Sequence, residues 1–143
     1  MAKVLFELES ETSYETESLW AKVVADGEFV LDNVPFFAFG VSCGDRVRAK
    51  PLENVFQFVE VAEPSGHSTY RAYLEESATE EQRDRYLAQL KALGCHLERG
   101  TKRLWAFDLP PTTDIHAVYA VLEQAEAEGV WEFEEGHVGH PLA

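Results

Sequence analysis

Ser65-Gly66-His67-Ser68-Thr69 is the one stretch of the chain in which a titratable base stands among hydroxyls in a glycine-containing turn. A histidine near its ordinary pKa can act as general base, with Ser65 or Ser68 as nucleophile and Asp45 as the group that orients the ring. Neighbouring residues entering a strand point to opposite faces, however, which makes His67 and Ser68 a poor base–nucleophile pair. Hydroxyls that satisfy turn amides, with His67 bonding across an interface inside the fold, account for the same residues without catalysis. Cys95-His96 fails as a catalytic pair for the same reason, and Cys95 is expected in the core, where a thiol behaves as a small apolar group. Cys43, beside Gly44, is a candidate for an exposed redox thiol. His137 and His140 lie three apart without further ligands at suitable spacing, so a solvated tail is expected there, with no metal and no cofactor.

The carboxylates are unevenly placed. Glu7, Glu9, Glu11, Glu15 and Glu17 crowd the N-terminal region, while Glu123, Glu126, Glu128, Glu132, Glu134 and Glu135 crowd the C-terminal one. Trp131 and Phe133 alternate with Glu132 and Glu134. Large aromatics among acids suit recognition of a basic protein, because rings anchor and carboxylates steer. The alternative is that Trp131 and Phe133 face inward and the glutamates are only solvated. The 26 acidic residues against 12 basic ones leave a net charge of -14. Phosphate backbones and anionic lipid surfaces attract lysine and arginine, so neither free nucleic acid nor a membrane is the expected partner; a basic protein is. The arginines are scattered among acids and form no phosphate-tracking stripe. The opening MAKVLFELES carries no long apolar run, and two distant cysteines without a CxxC partner fit a reduced, cytoplasmic setting.

Short strands are expected across the first half. Val4, Phe6 and Leu8 share a face with period two. Residues 10–18 read as a polar loop. Leu19 to Ala25 and Glu28 to Leu31 flank Asp26-Gly27, a signal for a hairpin with a type I′ turn. Arg46 to Lys50 is a strand ended or placed at an edge by Pro51. In Val55 to Ala62, Phe56 and Phe58 share one face, with Val55, Val59 and Val61 on the other. The second half changes rhythm. Ser68 to Leu74 is a strand, and Thr79 with Gln82 makes a capping box for a helix striped by Tyr86, Leu87, Leu90 and Leu93. Strands at Cys95 to Arg99 and Arg103 to Leu109 follow. A helix capped by Thr113 and striped by Ile115, Val118, Tyr119 and Leu122 precedes a last strand, Val130 to Glu134. The expected class is α+β: a small bent β-sheet or barrel-like N-terminal half (1–64) packed on a ferredoxin-like β-α-β-β-α-β C-terminal half (65–136), with 137–143 a flexible tail.

The most unusual stretch is NVPFFAFGVSCGDRVRAKP, residues 33–51. Pro35 fixes φ and Gly40 and Gly44 permit bends, so the stretch reads as a corner. Phe36, Phe37 and Phe39 cannot all face one way in an extended chain, and some are expected to wedge between the two halves. The segments LDNVPFFAFGVSCGDRVRA and EPSGHSTYR, with ALGCHLERG, FDLPP and VWEFEEG later, resemble the blocks of the bacterial domain-of-unknown-function family 4265. The resemblance spans about residues 3 to 136. It implies no activity and no catalytic residues that could be carried over. In architecture and charge the second half also resembles a small acidic ferredoxin-like inhibitor of a bacterial ribonuclease.

Two functions are therefore expected as alternatives. One is an acidic cytosolic binding protein acting by occlusion on a basic nuclease or toxin partner, through Glu7, Glu9, Glu132, Glu134 and Glu135. The other is a small-molecule-binding protein or enzyme with an inter-lobe cleft lined by Phe36, Phe37, Asp45, His67 and Ser68.

Overall fold

Alternating side chains build five strands from the first half of the chain. The structure, a computed structural model, describes residues 1–8 and 15–142. β1 (Ala2–Leu8) turns Val4 and Phe6 inward, and β2 (Glu15–Ala25) does the same with Glu17, Leu19 and Ala21. β2 thus begins inside the stretch read from sequence as loop. Glutamate and serine are weak strand formers, and only the parity shared with Leu19 and Ala21 marks Glu17 as inward. β3 (Glu28–Leu31) follows across Asp26-Gly27. That turn is not type I′: Gly27 has φ +73°, but Asp26 keeps a negative φ, and a register shift between Val23 and Ala25 absorbs the difference.

β4 (Arg46–Leu52) and β5 (Val55–Glu63) complete the set, with Pro51 inside β4 near its end. Arg48 pairs with Glu60 and Ala49 with Phe58, so Val59 is skipped and the face parity reverses. Val61 consequently joins Phe56 and Phe58 against the core, contrary to the simple alternation. β5 returns parallel to β1, pairing Phe56 with Val4, and the sheet closes into a barrel in the order β1-β2-β3-β4-β5. Closure removes free strand edges. The interior is filled by Val4, Phe6, Leu19, Phe29, Leu31 and Val47, with Phe6 stacked on Phe58 and Phe29 tilted on Phe56, both at 4.6 Å between ring centres.

The second half makes a four-stranded antiparallel sheet in the order β7-β8-β6-β9, from β6 (Ser68–Leu74), β7 (His96–Arg99), β8 (Leu104–Leu109) and β9 (Trp131–His137). α1 (Glu80–Ala92) starts at Thr79, whose hydroxyl accepts from the Gln82 amide while the Gln82 side chain accepts from the Thr79 amide. α2 (Ile115–Ala127) is capped by Asp114, whose Oδ1 accepts from the His116 and Ala117 amides, and not by Thr113. Thr113 is buried instead, one residue too early to reach those amides. Both helices share a core with Tyr70, Ala72 and Leu74 of β6, Phe107 and Leu109 of β8, and Trp131 of β9. The chain is a mixed α+β protein with a five-stranded and a four-stranded sheet and two helices.

Residues 138–142 follow β9 back past Ser68 and Pro110. His140 is buried, its Nδ1 2.6 Å from Ser68 Oγ and its Nε2 2.9 Å from the Pro110 carbonyl. This differs from the solvated tail read from the sequence, because Ser68 and Pro110 supply partners that only the fold brings there. A Cβ added to Gly139 would overlap the His67 carbonyl oxygen.

Candidate functional site

β6 divides its side chains cleanly. Tyr70, Ala72 and Leu74 enter the helical core, so Thr69, Arg71 and Tyr73 face the opposite side, where the barrel and the 33–45 loop lie. Arg71 is only 1% exposed. Its Nη1 donates to the carbonyls of Ala38 (2.8 Å) and Pro35 (3.2 Å), its Nη2 to that of Phe37 (3.4 Å), and its Nε to Glu134 (2.9 Å). The amides of the same loop go the other way. Glu17, buried on β2, accepts from Phe36 (2.7 Å), Phe37 (3.1 Å) and Ala38 (2.9 Å). A non-helical, non-strand loop at an internal joint must still satisfy its backbone, and here one carboxylate and one guanidinium do so from the two halves. Gly40 adds an amide bond to the Gly136 carbonyl at 2.9 Å.

This clamp decides where the phenylalanines go. Phe36 is half-buried and reaches the β7–β8 turn, where a Cβ added to Gly100 would lie 2.8 Å from its ring. Ala38 and Val41 turn into the barrel core. Phe37 and Phe39 point outward, 52% and 65% exposed, and Phe39 lies under the Arg71 guanidinium at 4.7 Å. Of the expected wedge only Phe36 remains.

Arg71 also borders a groove of about 270 Å³, together with Tyr73, Glu132, Phe133 and Glu134. Tyr73 is 51% exposed, and Glu132, Glu134 and Glu135 are all at the surface. Trp131 is fully buried, with its indole N–H on the Leu122 carbonyl, and Phe133 is half-buried against Tyr70 and Tyr119. The aromatics that border this groove with Glu132 and Glu134 are thus Tyr73 and the half-buried Phe133, with Phe39 joined to Glu134 through Arg71, and Trp131 is not among them. Glu135 reaches round to the Tyr70 hydroxyl at 3.3 Å; burial first, then this carboxylate, push the phenol's pKa upward. Glu7 is exposed on the barrel strand β1 and accepts from Gln57, and Glu9 lies outside the described residues.

The polar residues of the second alternative lie at the other end of the joint. Asp45 is fully buried and takes the Ser42 amide on Oδ2 and the Ser65 amide and hydroxyl on Oδ1, at 2.8–2.9 Å. His67 pairs with Asp108 through Nδ1, at 2.8 Å, and not with Asp45; Ser65 stands between the two, its hydroxyl accepting from the His67 amide. Ser68 is fully buried and occupied by His140 and the Gly139 amide, while Ser42 bridges Thr69 and His137 at 2.8 Å each. The backbone amides of Phe36 and Phe37 go to Glu17 and not to this network, and the groove described above is lined by none of these residues. Cys43 is half-buried near Asp108, Asp32 and Asp45; burial first, then these carboxylates, push its thiol up to about 11. Cys95 lies in the helical core, and burial pushes it to about 12. Neither thiol has the depressed pKa of a nucleophile.

Glu17 and Arg71, which hold the joint, and Asp108, which holds His67, have no site role in the sequence reading, where Glu17 stands only among the N-terminal acids. Parity gives a signal for two of them: Arg71 alternates with core positions Tyr70 and Ala72, and Glu17 shares a face with Leu19 and Ala21.

Among known proteins, no curated protein matches the chain. The solved structure of a hypothetical protein from Neisseria gonorrhoeae is similar to it, with a TM-score of 0.84, 17% identity, and 96% of this chain and 95% of that chain covered. That likeness speaks for the fold alone. The family described as "Domain of unknown function (DUF4265)" matches residues 17–133, from the Glu17 clamp to Phe133 of β9. The chain belongs to this DUF4265 family.

Proposed function

We propose that this is an acidic cytoplasmic binding protein that acts by occlusion, covering a basic protein such as a nuclease or toxin domain in the manner of an immunity or inhibitor protein. The observation that carries the reading is the pair Phe37 and Phe39, held outward by the Glu17–Arg71 clamp. Burying each ring would stabilise the fold by about 1.5–3 kcal/mol, and burying two charges costs desolvation even when they are well bonded. A loop that is rigidly clamped while exposing its rings suits a surface selected for contact more than for stability. Rigid aromatics make effective anchors because little conformational freedom is lost when they are covered. Glu134 shares Arg71 with Phe39 and borders one groove with Glu132, and these carboxylates would steer a basic surface, as would the net charge of -14. Further support comes from Asp45, His67 and Ser68, whose polar atoms already bond one another's neighbours inside the fold. The strand order β7-β8-β6-β9 over two helices favours reading the rear half as ferredoxin-like, and two free cysteines favour the cytoplasm.

The test compares the wild-type chain with a Phe37→Ser/Phe39→Ser double variant, Glu132→Lys and His67→Ala as baits in extract of the native cell, at low and moderate salt. A basic protein should be retained by wild type and by His67→Ala, weaken with salt, and be lost from the other two baits. Each lost anchor should cost about 2 kcal/mol of affinity or more. The purified partner's own activity should stop when one equivalent of the chain is added. Capture of no basic protein, or capture indifferent to the phenylalanines, would remove the reading.

A further inference from the structure

At the far end of the rear sheet, the β7–β8 turn faces the segment that joins β6 to α1 across a cavity of about 320 Å³. One wall carries Arg99, Lys102 and Arg103, the opposite one Glu75, Glu76 and Glu80, and Arg83 also borders the space. Facing rows of opposite charge would ordinarily close on one another. Among the described residues, none of these six makes an ion pair within 4.0 Å, and Arg83 is taken by Asp84 at 2.9 Å.

The arginines are pinned where they are. Arg99 lies over the Trp105 ring at 5.5 Å and donates Nη2 to the Lys102 carbonyl at 2.9 Å. Arg103 lies over the Tyr73 ring at 4.8 Å and donates Nε to the Leu74 carbonyl at 2.9 Å. Stacking and a backbone bond hold each guanidinium flat and leave other N–H groups to donate into the cavity. The volume falls within the range of small-molecule sites, which run from roughly 300 to 1,000 Å³.

Charge selects the ligand. The cavity presents four cationic side chains and three carboxylates, so an ion of either single sign meets like charge within it, and a bare anion also meets the chain's net charge of -14. A molecule with no net charge but two charged ends avoids both penalties. We infer that this cavity binds a small zwitterion, whose phosphate or carboxylate end lies against Arg99, Lys102 and Arg103 and whose ammonium end lies against Glu75, Glu76 and Glu80. The inference does not depend on the proposed binding function, although Tyr73, which stacks on Arg103 here, also borders the groove beside Arg71.

Phosphoethanolamine and γ-aminobutyrate serve as probes, with inorganic phosphate and ethanolamine as single-ended controls, read by amide chemical shifts of the isotope-labelled chain. At least one zwitterion should give saturable shifts at Glu75, Glu76, Thr79, Lys102 and Arg103, about tenfold tighter than either control. Lys102→Gln and Glu76→Gln are exposed changes that leave the fold's hydrogen bonds intact, and each should weaken that binding about tenfold, since a bond to a charged group is lost. Three results would overturn the inference: no saturable shift with either zwitterion, phosphate alone binding as tightly, or binding unchanged in both variants.

Discussion

Two buried charges, Glu17 and Arg71, account for the backbone of an otherwise irregular loop, and they do so from opposite halves of the molecule. Replacing Arg71 by methionine keeps volume but leaves the Pro35 and Ala38 carbonyls unbonded and Glu134 without its partner, which should cost about 3–5 kcal/mol. Glu17→Gln retains one acceptor oxygen and should cost about 1–3 kcal/mol. Urea midpoints at unchanged slope measure both; an Arg71→Met variant as stable as wild type would mean that the guanidinium does not hold the joint. The thiols give a second residue-scale expectation. In the unfolded chain they ionise near the ordinary 9.0, whereas in the folded one Cys43 and Cys95 hold their protons to about 11 and about 12. Above pH 9 the unfolded state therefore binds fewer protons than the folded state, and stability falls as pH rises toward 11. A Cys43→Ser/Cys95→Ala variant should lose less stability than wild type between pH 9 and 11, in denaturation at each pH.

At the scale of elements, the clearest test concerns the start of α2. Asp114 bonds two amides of the first turn, so Asp114→Ala should cost about 1 kcal/mol through the cap, and Asp114→Asn should recover most of it. Thr113→Ala should show no such recovery by Asn, because its hydroxyl is not the cap; thermal midpoints of the set decide. Most elements were legible because periodicity and punctuation agreed. Thr79 with Gln82, the Tyr86-Leu87-Leu90 stripe and the Asp26-Gly27 hairpin stand where the sequence puts them. The misreadings came where one residue shifts a face. The bulge at Val59 sends Val61 inward, and an acidic run hid the start of β2. Local pattern does not register a bulge, since the partner strand decides which residue is skipped.

For the whole molecule, a net charge of -14 on 143 residues implies self-repulsion that salt should screen. The melting temperature is expected to rise by a few degrees between about 20 mM and about 300 mM sodium chloride, where the Debye length shrinks below roughly 10 Å. A flat or falling trend in differential scanning calorimetry would show that local pairs already balance the excess. The sequence by itself determined the charge, the α+β class, the two helices and the inward apolar stripes, because these depend on residue type and short-range period. It also brought the chain to its family through the 33–51 block. Only the tertiary structure decided that His67 meets Asp108 rather than Asp45, that Phe37 and Phe39 face solvent, and that the turn carrying Arg99, Lys102 and Arg103 shares a cavity with Glu75, Glu76 and Glu80. Those are pairings between residues distant in sequence, set by strand register and by which half packs on which, and no local propensity encodes them.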